Sequence, residues 1–143
     1  MNTLTVRLTR PGADLPTRAH PTDAGLDLHA AETVQIAPRV VTLVPTGIAV
    51  AIPEGHVGIL IARSSLAVKK SMTLANGVGV IDSDYRGEIK VPIVSLDGCH
   101  NLIQAGTRIA QLLILPIALP TVEVVTELPD TDRGVGGFGS TGS

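Results

Sequence analysis

Aromatic residues and cysteine are almost absent from this sequence. Its 143 residues contain no tryptophan, one tyrosine (Tyr85), one phenylalanine (Phe138) and one cysteine (Cys99). The core must therefore be aliphatic, and neither aromatic residue lies in an apolar stretch where packing would explain it. A single cysteine excludes an intrachain disulfide and a zinc site built from cysteines, and it suits a reducing compartment such as the cytoplasm.

Charge is also sparse. Lysine and arginine total 11 and the acidic residues total 13, for a net charge of -2, so we do not expect the wide basic surface that binds nucleic-acid polymers. No apolar run reaches the roughly 20 residues of a membrane helix. The first ten residues alternate polar and apolar side chains, unlike a secretion signal. We therefore expect one cytoplasmic domain with no nucleic-acid or membrane partner.

Short β-branched runs broken by glycine and proline dominate the chain. Residues 3–9 alternate as a half-buried strand does, and turn signals at 45–47 and 53–55 separate the next runs. This pattern predicts an all-β fold, an antiparallel jelly roll or distorted β-barrel, whose last strand is Thr121–Val125. One short helix is predicted over residues 66–70, capped by Ser64 or Ser65.

The segment Ile109–Leu119 is apolar on both faces. A strand of this kind must be covered on both sides. The pattern leaves two covers open, a second sheet of the same chain or another subunit.

Residues 130–143 differ in composition from the rest, with five glycines and little apolar surface. They cannot fold on themselves, so we predict a jelly-roll domain over residues 1–129 followed by a flexible C-terminal arm. The arm carries Arg133 and Phe138, a cation and an aromatic face that suit a phosphate and a base. Composition alone also fits a frayed terminus.

Two segments carry polar groups that suit a metal and a phosphate. Asp27 lies between two leucines of an alternating strand, so it points away from them and suits a metal or its water shell; a turn acid that caps backbone amides is the plainer interpretation. Arg63, Ser64 and Ser65 follow an apolar strand and open the helix, where guanidinium, hydroxyl and amide groups suit a phosphate.

The segment Arg108–Gln111 has a polar residue at each end. Strict strand alternation places Gln111 on the face of Ile109, where it needs a buried partner, and Arg108 on the opposite face.

The richest segment is Asn76–Glu88. Asn76, Gly77 and Gly79 predict a tight β-hairpin whose backbone can approach a ligand. Asp82 and Asp84 would share one face of an extended strand, and a carboxylate there can orient or deprotonate a water beside a phosphate. Tyr85 can pack against a sugar. A polar edge hairpin without a ligand is the alternative.

Taken in order, five segments resemble the motifs of the trimeric dUTP pyrophosphatase (dUTPase) family. They are residues 23–28 (DAGLDL), 63–67 (RSSLA), 79–87 (GVIDSDYRG), 108–111 (RIAQ) and 133–142 (RGVGGFGSTG). Five motifs in order over residues 23–142 make the resemblance specific. One departure is Ala62, where the family usually has proline before the arginine of its second motif.

The resemblance implies a jelly roll that assembles as a homotrimer with shared active sites. It implies hydrolysis of dUTP to dUMP and pyrophosphate with Mg²⁺, which limits uracil in DNA and supplies dUMP for thymidylate synthesis. Asp82 would activate the attacking water, and Asp27 would help to hold the water shell of the metal. The implied substrate contacts are Arg63, Ser64, Ser65, Gln111 and Arg133 for the phosphates, and Asn76, Gly79, Val80, Tyr85 and Phe138 for uracil and deoxyribose.

Two other functions fit parts of the sequence. A dCTP deaminase has a related fold, but Tyr85 shortly after Asp82 favours a dUTPase. A non-catalytic nucleotide-binding module has no need of a water-activating carboxylate at Asp82.

Overall fold

The computed structural model describes residues 3–137. Over these residues the chain forms eleven strands and one short helix. In chain order they are β1 (Thr5–Leu8), β2 (Leu26–His29), β3 (Val34–Ile36), β4 (Thr42–Pro45), β5 (Ile48–Ala51), β6 (His56–Ala62), α1 (Ser64–Lys70), β7 (Met72–Leu74), β8 (Val78–Ile81), β9 (Lys90–Ser95), β10 (Asn101–Ile103) and β11 (Arg108–Pro116).

The strands pair antiparallel in four sheets. The largest sheet has the order β2-β11-β6-β8, the second has the order β4-β9-β7, and two further pairs are β1-β5 and β10-β3. Strands that are distant in sequence lie side by side. For example, β11 lies between β2 and β6 and pairs with both. The all-β prediction is confirmed; within residues 3–137 the sheets remain separate and do not close into a barrel.

The core is aliphatic, as the composition predicts. Side chains such as Leu28, Ile36, Val91 and Ile93 are at most 1 % exposed, and Met72 is fully buried among them. No aromatic side chain belongs to the core that residues 3–137 form, and Tyr85 is 46 % exposed. The chain's tyrosine is therefore available at the surface.

The strand β11 lies inside the largest sheet, with one face in the core and the other uncovered. Leu112 is fully buried, whereas Leu115 is 44 % exposed. On the same outer face, Leu113 lies opposite Ile59, which lies opposite Val80, and Val80 is 65 % exposed. No sheet formed by the described part of this chain covers that face.

The helix α1 begins earlier than predicted, and its predicted cap is wrong. Arg63 is the N-cap, with extended backbone (φ -73°, ψ 140°) and no side-chain cap bond, so Ser64 and Ser65 lie inside the first turn. The reason is that β6 continues through Ala62 and leaves only Arg63 between strand and helix. The helix ends at Lys70, and the C-cap is Ser71, whose N–H donates to the Ala67 carbonyl at 3.1 Å.

The predicted strand Thr121–Val125 is also wrong for the single chain. These residues form no ladder, and Val122 and Val124 are 89 % and 94 % exposed. An extended segment needs a neighbouring strand to satisfy its backbone, and this segment has none among residues 3–137. In the same range, no helix has the length and apolar character needed to cross a membrane.

Candidate active site

Three of the predicted segments meet at the carboxylate of Asp27. Its Oδ1 lies 3.0 Å from Arg63 Nε and accepts a 3.1 Å hydrogen bond from Gln111 Nε2. Its Oδ2 accepts a 3.2 Å bond from Arg108 Nη1. Asp27 is 3 % exposed, so this buried carboxylate is matched by two cations and one amide, which offsets the cost of removing it from water.

A β-bulge explains how Arg108 and Gln111 reach the same acid. Strict alternation places residues three apart on opposite faces of a strand. The register of β11 against β2 shifts between Arg108 and Ala110, and the extra residue turns Arg108 to the side of Gln111. The prediction that they face opposite sides is therefore wrong, while the buried partner that Gln111 needed is Asp27.

The glycine of the first motif makes room for this arrangement. A Cβ on Gly25 would lie 3.1 Å from Cβ of Gln111, tighter than ordinary side-chain contact. Gly25 is buried, so the Gln111 side chain occupies the space that a larger residue would fill. The first motif therefore supplies Asp27 and also, at Gly25, the space for the Gln111 side chain that donates to it.

Beside this cluster, a shallow groove of about 380 Å³ separates α1 from the start of β11. Arg63, Ser65, Lys69, Lys70 and Arg108 line it, which makes it rich in cations. Ser64 is exposed at the first position of α1. Guanidinium groups and hydroxyls arranged in this way suit a phosphate.

A second cleft, of about 280 Å³, lies over β8 and the turn that follows it. It is lined by Asn76, Gly79, Val80, Asp82 and Tyr85, so the predicted base, sugar and water-activating residues share one cavity. A Cβ on Gly79 would lie 3.0 Å from Leu60 Cβ. A larger residue at position 79 would therefore press against Leu60, and glycine avoids this contact in the wall of the cleft.

Tyr85 is held by its own loop. Its hydroxyl donates a 3.0 Å hydrogen bond to the Glu88 carbonyl, and a Cβ on Gly87 would lie 2.6 Å from Tyr85 Cζ. The ring therefore lies directly against Gly87. Arg86 Nη1 donates to the carbonyls of Ser83 (2.6 Å) and Tyr85 (2.9 Å) and closes the turn.

Two predictions about this segment are wrong. Asn76 and Gly77 do not close a hairpin, because β7 pairs with β9 while β8 pairs with β6. They form a corner between two sheets, with Gly77 at φ +69°. Asp82 and Asp84 do not share a strand face either, because β8 ends at Ile81 and the chain turns, with Tyr85 N–H bonded to the Asp82 carbonyl at 3.2 Å.

The described part of the arm, residues 130–137, lines neither cavity. Arg133 is exposed, and its Nε donates to the Gly136 carbonyl at 2.9 Å inside its own segment. Phe138 lies outside the described residues.

The two cavities lie near opposite ends of the strand β6. Ile81, before Asp82, pairs with Gly58, whereas Ala62 ends the strand before Arg63. At about 3.3 Å per residue, that length of strand separates Asp82 from Arg63 by roughly 15–20 Å. Within one chain, the carboxylate and the phosphate-type cations do not face one another.

No cluster of three or more His, Cys, Asp or Glu side chains suited to a metal ion occurs in residues 3–137. Asp27 already accepts bonds on both oxygens, although each carboxylate oxygen has a further lone pair for a water. Mg²⁺ commonly keeps several waters and binds mainly through substrate phosphates. The donor set therefore fits a Mg²⁺ that a polyphosphate would carry, with a lone pair on Asp27 for one of its waters, and does not fit a metal held by the protein alone.

The sequence of these segments identifies the family. The model of the dUTPase family matches residues 12–142. The chain belongs to the dUTPase family. Among curated dUTPases, the deoxyuridine 5'-triphosphate nucleotidohydrolase of Corynebacterium jeikeium is 52 % identical over 132 residues, covering 90 % of this chain and 85 % of the relative. That of Mycolicibacterium vanbaalenii is 49 % identical over 143 residues, covering 96 % and 92 %.

Solved dUTPase structures have the same fold. The dUTPase of Staphylococcus bacteriophage 80alpha with dUpNHpp has a TM-score of 0.90 and 34 % identity, with full coverage of both chains. A variant of the dUTPase from phage phi11 of S. aureus, described with a structural Mg(II) ion, has a TM-score of 0.80 and 34 % identity, covering 88 % of this chain and 98 % of that one. The jelly-roll prediction and the dUTPase resemblance are both confirmed.

Three residues in and beside these cavities had no role among the predictions from the sequence. Arg108 belongs to the fourth motif, and its positive charge could have indicated a pairing with the acid of the first motif, Asp27. Arg10 and Glu88 lie 3.0 Å apart beside the Tyr85 loop, although 78 positions separate them. Neither has a sequence neighbour that indicates the pairing.

Proposed function

We propose that this dUTPase hydrolyses dUTP to dUMP and pyrophosphate by in-line attack of a water that Asp82 activates. The observation that carries the proposal is the cleft over β8, which places Asp82, Tyr85 and the Asn76 corner in one cavity. The corner backbone reads uracil through its pairing edge, and the Tyr85 ring supports the deoxyribose.

Asp82 is exposed at this cleft, where a carboxylate can take a proton from water. The oxygen of that water forms a bond to the α-phosphorus, the bond from the α-phosphorus to the bridging oxygen breaks, and pyrophosphate leaves. Phosphoryl transfer depends chiefly on positioning and charge stabilisation. Arg63, Ser64, Ser65 and Gln111 are the residues that we assign to the phosphates.

Magnesium fits this assignment as an ion bound by the triphosphate. When bound, Mg²⁺ neutralises phosphate charge. Asp27 would hold its water shell, and the 3.0 Å contact with Arg63 places this acid beside a residue that we assign to the phosphates.

A complete site needs more than one copy of the chain. The roughly 15–20 Å along β6 between Asp82 and Arg63 is too long for one chain to offer both to one α-phosphate. The uncovered apolar face at Leu113, Leu115 and Val80 supplies a surface for a second copy. Both observations support active sites shared between neighbouring subunits, and the resemblance to the trimeric dUTPase family makes that assembly a homotrimer.

The C-terminal arm, residues 130–143, completes that site in the proposal. Arg133 meets the phosphates and Phe138 stacks on the base of a neighbouring subunit's substrate. Residues 117–137 form no strand and are largely exposed, which supports a role that depends on another copy.

An exposed, unpaired Cys99 fits the cytoplasm or another reducing compartment.

The test is pyrophosphate release from dUTP, dTTP, dCTP and UTP under the same conditions. We expect turnover of dUTP with strong rejection of dTTP, because the Asn76 corner is assigned to reading uracil, and of UTP, because Tyr85 would lie against the sugar. Comparable turnover of UTP and dUTP would contradict the assignment. Ammonia release from dCTP would indicate the deaminase, and nucleotide binding without pyrophosphate release would indicate a binding module.

A further inference from the structure

The loop that carries Asp82 and Tyr85 is tied to the N-terminal part of the chain by the Glu88 carboxylate, beside a 3.3 Å hydrogen bond from Arg7 Nη2 to the Arg86 carbonyl. Glu88 Oε1 accepts a 2.9 Å hydrogen bond from Gly47 N–H in the turn between β4 and β5. The same oxygen lies 3.0 Å from Arg10 Nε, and Oε2 accepts a longer 3.4 Å bond from Arg10 Nη2. The Glu88 side chain is 16 % exposed, so this attachment is largely screened from solvent.

The backbone of the same residue holds the sugar-pocket tyrosine. Tyr85 Oη donates its 3.0 Å bond to the Glu88 carbonyl, and the following residue is fixed as well, since Thr46 Oγ1 donates to the Ile89 carbonyl at 2.6 Å. Glu88 thus joins the Tyr85 ring to Arg10 and to the turn at Gly47. The Ile89 N–H, in the same peptide unit as the Glu88 carbonyl, donates to the Ile48 carbonyl at 2.9 Å, so the Glu88 carboxylate is a second attachment beside the acceptor on which the ring depends.

We infer that Glu88, held by Arg10, is a positioning residue for Tyr85 and thereby sets how strongly the enzyme prefers dUTP to UTP. The inference rests on the proposed function, in which Tyr85 supports the deoxyribose. A 2'-hydroxyl is excluded only while the ring stays close to the sugar, so a small displacement is enough to admit UTP. Arg10 stabilises the carboxylate as a partner, and the same ion pair raises the pKa of the Arg10 guanidinium, chiefly through the hydrogen bond that Arg10 donates to Glu88.

Glu32 offers a matched control. Its Oε2 lies 2.7 Å from Arg10 Nη1, but its side chain is 54 % exposed, and none of the hydrogen bonds that fix the Asp82–Glu88 loop involves it. Replacing Glu32 removes a carboxylate from the same arginine and leaves the attachment of the loop intact.

The experiment measures kcat/KM for dUTP and for UTP in the full-length enzyme and in Glu88→Ala, Glu88→Gln, Arg10→Ala and Glu32→Ala. We expect the dUTP-to-UTP ratio to fall roughly 10- to 100-fold in Glu88→Ala, the cost of a misplacement of about 1 Å at a reacting site. Glu88→Gln, which still accepts from Gly47, should fall less, and Glu32→Ala should stay within about twofold of the parent. General destabilisation lowers the active fraction for both substrates alike and leaves the ratio unchanged.

A second readout needs no activity. Tyr85 is the chain's single tyrosine and tryptophan is absent, so the tyrosine band in near-ultraviolet circular dichroism reports Tyr85 alone. We expect the band to weaken in Glu88→Ala and to persist in Glu32→Ala. If Glu88→Ala does not fold, Glu88→Gln and Arg10→Ala decide the same question with both readouts.

An unchanged dUTP-to-UTP ratio and an unchanged tyrosine band in the folded Glu88 and Arg10 variants would overturn the inference. A parent enzyme that does not hydrolyse dUTP would instead refute the proposed function. In that case the tyrosine band would still show whether Glu88 holds the ring.

Discussion

Replacing Asp27 with asparagine should destabilise the protein, because it removes the charge on which two arginines converge. The asparagine would retain one oxygen acceptor, but its NH₂ group would face guanidinium donors. The ion pair with Arg63, whose side chain is 23 % exposed, is the larger loss, because removing one partner of a largely buried pair leaves the other charge uncompensated, at a cost of about 1–3 kcal/mol. Arg108 is 46 % exposed, so solvent screening reduces its share to at most about 1 kcal/mol.

With the Gln111 bond weakened as well, we expect Asp27→Asn to lower the free energy of unfolding by about 2–4 kcal/mol. Urea unfolding at equal protein concentration measures it, because the stability of an oligomer depends on concentration. Asp23→Asn is the matched control: Asp23 belongs to the same motif, but its side chain is 38 % exposed, so its change should stay within about 0.5 kcal/mol. Equal losses in the two variants would refute the view that Asp27 organises the cluster.

Four other changes to the chain test the site and the loops around it. Asp82→Asn should keep nucleotide binding and lose turnover by about 10²–10⁴-fold, the usual contribution of a general base; turnover within threefold of the parent in a stopped assay would assign water activation to another residue. Deleting residues 130–143 should leave the assembly and its melting temperature nearly unchanged while kcat collapses, and full kcat would show a frayed terminus. Gly87→Ala should raise KM for dUTP by about tenfold, since its methyl group displaces the Tyr85 ring; an unchanged KM would show that the ring has room. Hydrogen bonds from the Cys99 N–H and the Ser95 hydroxyl lower the pKa of Asp97 below its ordinary value of 3.8. The difference in unfolding free energy between the parent and Asp97→Asn should therefore be constant above about pH 5 and shrink as the pH falls through the pKa of Asp97 in the folded protein. A difference that grows on acidification would contradict this.

Much of the fold was predictable from short-range patterns. Alternation over residues 3–9, the runs that became β5, β6 and β11, and the shortage of aromatic residues predicted an all-β chain with an aliphatic core. Such features depend on local backbone preference and on burial of one face, which each segment carries in its own sequence. The five motifs likewise indicated the family, because their order and residue types are properties of the sequence.

The errors arose where the conformation depends on partners that are distant in sequence. The turn after Ile81 and the corner at Asn76 depend on which sheet each strand joins, and the sequence does not specify that. The same holds for residues 121–125, which have strand composition but no neighbouring strand among the described residues.

What the sequence by itself determined is the class of fold, the chemical groups and the family to which they belong. Only the tertiary structure decided how those groups are arranged. A bulge in β11 turned Arg108 toward Asp27, and the length of β6 kept Asp82 far from Arg63. The pairing of Arg10 with Glu88 across 78 positions became visible only in the folded chain. The physical reason is that side-chain chemistry is local, whereas register, bulges and ion pairs between distant segments are set by the packing of the whole chain.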